Sequence, residues 1–88
     1  MTKNTEPKCV AIRWTDINSF DGAWLDLKES TTLKPIQMET IGWIVHQTKE
    51  YIVVVSTLNS TGDLAGSTNA IPRGIINKII PITYARRK

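Results

Sequence analysis

From Val10 onward the chain alternates, with Val10, Ile12 and Trp14 on one parity and Ala11, Arg13 and Thr15 on the other. A two-residue period is that of a strand with one face turned to a core, so a first strand is predicted here. The alternation stops in Asn18-Ser19-Phe20-Asp21-Gly22, a cluster of turn and capping residues in which Ser19 or Asp21 is placed to cap a short helix. Ala23 to Glu29 then holds good helix formers, with Trp24, Leu25 and Leu27 apolar. The stretch has too few turns for its period to decide, and a helix of one or two turns or an irregular connection fits 19–30 equally well.

Pro35 punctuates the chain, and Ile36, Met38 and Thr40 then alternate with Gln37 and Glu39 as a second strand. At Gly42 the phase changes, because Ile41, Trp43 and Val45 now share a parity. A glycine inside a strand pattern marks a bulge or bend, and strong bending curls a small sheet toward a barrel. His46 to Glu50 reads as a polar turn, and Tyr51-Ile52-Val53-Val54-Val55 is the strongest β-forming run. Apolar residues on both its parities predict a central strand covered on two sides. Between Ser56 and Asn69 the composition turns to Ser, Thr, Asn and Gly, which predicts a mobile hairpin loop with an exposed tip. Ala70 to Ile82 closes the pattern as two short strands joined at Pro72-Arg73-Gly74 with almost no loop. Ile76, Ile80 and Ile82 mark one face of the last strand, and Ile75 and Ile79 the other.

The reading is therefore mainly β: a small, strongly bent five-stranded antiparallel barrel with one short helix. Residues 1–8 are expected as a disordered N-terminal tail, 9–84 as a single domain and 85–88 as a basic C-terminal tail. At 88 residues one core carries the stability, and partner subunits add to it. With 41% hydrophobic and 22% charged residues, a wholly disordered or fibrous chain is excluded. The sequence holds no apolar run of about 18 residues, and its start lacks a signal peptide's apolar region. A cytoplasmic protein with no membrane partner is expected.

Candidate chemistry is sparse. One cysteine, Cys9, and one histidine, His46, exclude an internal disulfide and a zinc cluster. Asn59-Ser60-Thr61 matches a glycosylation acceptor, which carries little weight without a secretory signal. Asp16, Asp21, Asp26 and Glu29 spread around the first turn, where solvation and capping explain them. The sequence shows no phosphate-binding glycine loop, and no nucleophile stands with a base. No enzyme activity and no cofactor are expected. The three tryptophans, Trp14, Trp24 and Trp43, read as core and subunit-interface residues before they read as stacking platforms for bases. The eleven Lys and Arg against eight Asp and Glu give +3. Arg86, Arg87 and Lys88 supply that excess alone, so residues 1–85 are formally neutral and the basic balance is no evidence that the barrel is a cationic surface.

The segment Ile71-Pro72-Arg73-Gly74-Ile75-Ile76-Asn77-Lys78-Ile79 resembles the second motif of Sm and Sm-like proteins, an apolar strand, Arg-Gly at a tight turn and an alternating strand. Gly42-Trp43-Ile44 with Thr48 and Tyr51 to Val55 resembles the first motif more weakly. Thr48 and Ile52 stand where that family carries an Asp and an Asn that help hold RNA, so only Arg73 and Gly74 carry over as nucleic-acid-binding residues. The chain from Val10 to Ile82 is also similar to small tailed-phage and prophage proteins of Sm-like, SH3-like character. They share Trp14-Thr15-Asp16-Ile17, a downstream Trp like Trp24, a Gly-Trp pair and the Ile-Pro-Arg-Gly-x-Ile ending. The resemblance implies a phage-encoded barrel in the host cytoplasm that assembles into a homo-oligomeric ring through its fourth and fifth strands and binds RNA at Arg73. The alternative is a protein-interaction or structural module, contacting a host or phage protein through Trp24, Trp43 and its strand edges, with no nucleic acid bound.

Overall fold

A computed structural model describes residues 7–84. Five strands form one antiparallel sheet: β1 (Lys8–Asp16), β2 (Ile36–Gln47), β3 (Tyr51–Leu58), β4 (Ala65–Pro72) and β5 (Ile76–Pro81), in the order β4-β3-β2-β1-β5. The helix α1 (Leu27–Ser30) is a single turn between β1 and β2, and a 3₁₀ turn (Arg73–Ile75) links β4 to β5. The mainly β expectation with one short helix holds. The basic tail 85–88 lies outside the described residues, as does 1–6 of the expected N-terminal tail, while Lys8 already begins β1.

The sheet must curl. Its outermost strands β4 and β5 stand four strand spacings apart in the ladder order, about 19 Å if the sheet were flat. Yet Pro72 and Ile76 are joined through one 3₁₀ turn, which advances about 8 Å over those four steps. Folding the sheet brings both ends onto one core, in which Val10, Ile12, Ile52, Val54 and Ile71 are buried and Trp14, Ile44, Ile75, Ile76 and Ile79 pack around them. Between β4 and β5 themselves the sheet stays open.

Three local features differ from the pattern. The phase change in β2 comes at Val45, which is skipped between the pairs Ile44↔Val54 and His46↔Val53, while Gly42 pairs in unbroken register with Val10. The glycine has a different cause: a Cβ there would collide with the Val55 carbonyl, so β2 and β3 approach closely only without a side chain. In β5 the parities predicted for Ile76 and Ile79 are overridden, because Asn77 is skipped between Arg13↔Lys78 and Trp14↔Ile76, and this bulge puts Ile76 and Ile79 against the same core. The predicted loop 56–69 shrinks to 59–64, since β3 runs to Leu58 and β4 begins at Ala65. The outer half of this hairpin is almost wholly exposed, so Ser, Thr and Asn suit it while the backbone still pairs.

The connection 17–35 is the least compact part. No residue of α1 is buried, and Leu25 is the only residue of 17–35 that is even half-buried. The helix is not capped by Ser19 or Asp21, because it starts at Leu27, and Asp26 in the N-cap position makes no side-chain cap bond. It ends after one turn as the hydroxyls of Ser30, Thr31 and Thr32 donate to the carbonyls of Asp26, Lys28 and Glu29, the local bonding that competes with helix continuation. The radius of gyration is 17.4 Å and the extents are 57 × 23 × 21 Å, against about 12 Å for a compact chain of this length. The segment 17–35 is an arm extending from the curled sheet.

Candidate interaction surfaces

Arg73 leaves β4 at the sheet's corner and reaches the turn between β2 and β3. Its backbone N–H donates to the Glu50 carbonyl at 2.8 Å, its Nε to the Thr48 carbonyl at 2.6 Å and its Nη2 to Gln47 Oε1 at 3.0 Å. The turn is built by Thr48, whose Oγ1 accepts from the Glu50 and Tyr51 N–H groups at 3.0 and 3.1 Å. His46 lies 6.1 Å, centroid to centroid, from the Tyr51 ring on the same corner, and Lys49 stands exposed at the turn. The fold thus brings Arg73 onto the turn that holds Lys49, two cations that lie far apart in sequence. Part of the Arg73 guanidinium is committed to holding the turn. Gly74 takes no positive φ, and an added Cβ would meet nothing within 4 Å, so the turn does not demand a glycine. Ile52 pairs with Gln47 beside this corner, but its side chain is fully buried in the core.

Arg13 sits elsewhere. It pairs with Glu39 directly across the β1–β2 ladder at 3.3 Å, on a solvated face, where such a pair contributes at most about 1 kcal/mol. Thr15, Gln37 and Asn77 extend the same face as a hydrogen-bonded polar row.

The three tryptophans separate in environment. Trp14 packs on the core and its Nε1 donates to Thr40 Oγ1 at 2.9 Å. Trp43 lies half-buried with its ring edge-on to Tyr84, centroids 6.5 Å apart, and donates to the Tyr84 hydroxyl at 3.3 Å. Trp24, in the arm, is 92% exposed. With Ile17, Phe20, Leu27 and Leu33 also exposed, the arm presents an apolar surface of the kind that marks an interaction site.

Trp43 and Tyr84 line a cavity of about 330 Å³ together with Leu58, Ser60, Thr61 and Gly62. Its rim is the β3–β4 turn, stiffened by Asn59: the side-chain oxygen accepts from the Asp63 and Leu64 N–H groups, both at 3.0 Å, and the amide donates to Thr61 and Asp63. The Thr61 hydroxyl and then the Asn59 amide hold the Asp63 carboxyl below the usual carboxylate range. Tyr84 carries no signal in the sequence pattern, and nothing along the chain links it to Trp43. Among the described residues, no group of three or more His, Cys, Asp and Glu gathers to hold a metal, and no helix is long and apolar enough to cross a membrane.

No protein-family model, curated protein or solved structure matches this chain.

Proposed function

We propose that this chain is a non-catalytic assembly module, a small Sm-like barrel that associates with copies of itself into a homo-oligomeric ring. The exposed apolar arm is the observation that carries the reading: a 9.9 kDa chain that leaves Trp24 92% exposed loses free energy to hydration unless something covers it. The open edges of β4 and β5 add unpaired backbone donors and acceptors that a neighbour satisfies. Light scattering coupled to size exclusion tests it. A mass several times that of one chain at high micromolar concentration is expected, and a monomer throughout overturns it.

A second reading places single-stranded nucleic acid, RNA first, on the corner where Arg73 meets the 46–50 turn. What favours it is the convergence of Arg73 and Lys49 there, with donors of the Arg73 guanidinium left over from the turn. Lys49→Ala is the cleaner probe, because Arg73 also supports the turn. In oligonucleotide titrations at two salt concentrations, the variant should lower the salt slope by about 0.7 for the one phosphate that Lys49 neutralises. Salt-independent or absent binding removes this reading and leaves the assembly module.

A further inference from the structure

The arm and the aromatic cavity occupy opposite ends of the same ladder. Near its start β1 sets Cys9 opposite Trp43 at the cavity, and it ends with Asp16 opposite Ile36 at the root of the arm, seven residues and about 24 Å away. The apolar arm is thus at one end of the β1–β2 ladder, and the recess, which pairs two aromatic rings with a polar rim, is at the other. The arm also differs from the rest of the described chain in net charge. The arm and its root carry Asp16, Asp21, Asp26 and Glu29 against Lys28 and Lys34, leaving them two charges negative, whereas the other described residues carry five cations and three anions. The sequence also runs from the cavity residue Tyr84 directly into Ala85-Arg86-Arg87-Lys88.

From this placement we infer that the arm of one copy docks on the next copy, with the Trp24 indole seated in the cavity that Trp43 and Tyr84 line. The inference rests on the self-association reading and names its contact. A cavity of about 330 Å³ has the volume of roughly ten waters, more than enough to admit an indole. Trp43 and Tyr84 offer edges and faces for aromatic packing, and the Ser60 hydroxyl on the rim accepts the indole N–H. The acidic arm meets a body of net positive charge, which steers the encounter, while the rim itself also carries the Asp63 anion. Tryptophan is also among the residues most enriched where a few side chains carry an interface. Because donor and acceptor lie on different surfaces, the contact is head-to-tail, and repetition closes into a ring when the rotation per copy divides a full turn.

A head-to-tail contact is tested by complementation with full-length chains. Trp24→Ala keeps the cavity and removes the plug; Ser60→Glu keeps the plug and sets a negative charge at the cavity rim against the acidic arm. Each variant alone is expected to be monomeric by light scattering, with association weakened tenfold or more. Their equimolar mixture is expected to form a 1:1 dimer, because one intact arm meets one intact cavity, and this dimer also shows that both chains fold. Wild-type assembly should bury an indole and blue-shift tryptophan emission, a shift absent from Trp24→Ala. If Trp24→Ala assembles as the wild type does, the docking is overturned while the ring reading stands. If the wild type is monomeric, both fall. Quenching of Trp43 in Trp24→Ala by a single-stranded oligonucleotide, without any assembly of the wild type, would overturn the docking and assign the cavity to a base instead.

Discussion

Gly42 and Gly74 are both glycines beside strand turns and bends, yet only one of them needs to be. Gly42 is buried with the Val55 carbonyl where a Cβ would go, so Gly42→Ala forces β2 and β3 apart and should cost about 1–3 kcal/mol or more. Gly74 has open space and no positive φ, so Gly74→Ala should leave stability unchanged or raise it by about 0.4–1 kcal/mol through the unfolded chain. Ser67 is the converse case: it holds φ at 54° in β4, alone among the described non-glycine residues, and Ser67→Gly should stabilise by about 1 kcal/mol. Urea denaturation of the three variants ranks them, and a Gly42→Ala midpoint equal to wild type contradicts the close approach. Sequence alone marks Gly42 as special but misassigns the reason. Periodicity registers a change of phase, whereas the close approach of β3 depends on pairing with residues a dozen positions away.

At the scale of elements, what sequence predicts well is what local pattern controls. β1, the first half of β2 and Tyr51 to Val55 follow their alternation or β-forming composition into strands, and Ile12, Ile52 and Val54 are wholly buried. The hairpin β3–β4 is legible only in part, because its exposed residues look like a loop to any reading based on composition, while its ladder depends on backbone partners. The turn at its end makes a sharp prediction. Asp63 is held ionised by Thr61 and Asn59, so its folded carboxyl titrates below the unfolded one. The stability this lends is present above the unfolded value and fades as pH falls through the folded value. In ¹H–¹³C spectra the Asp63 carboxyl should titrate below the usual carboxylate range, and Asn59→Ala should move it back toward that range. Unchanged titration in that variant contradicts the rim described here. The Arg73 corner shows the same limit of sequence: the Arg-Gly turn is visible in the chain, but the bonds to Gln47 and Thr48 exist only after the sheet has curled.

For the whole molecule, the proposed association uses residues that the core does not, and that separation is measurable. Every fully buried side chain among the described residues belongs to β1, β3 or β4, whereas the arm contributes exposed apolar surface and no core. Replacing 17–35 by Asn-Gly joins Asp16 to Ile36, which already face each other across the ladder, by a two-residue hairpin turn suited to the strand twist. The connection shortens by about three halvings, and each lowers the closure entropy by about 0.6 kcal/mol, so the truncated chain should be as stable as the parent or more so by about 2 kcal/mol. It should also be monomeric, because Trp24 and the acidic arm are gone while the cavity remains. Thermal unfolding and light scattering on one sample read both quantities. A truncated chain that fails to fold would make the arm part of the core, and one that folds and still assembles would move the interface to the open edges of β4 and β5. Stable and monomeric is the outcome that a 23 × 21 Å cross-section with a 57 Å long axis leads us to expect: a body that folds alone and an arm that adds nothing to its core.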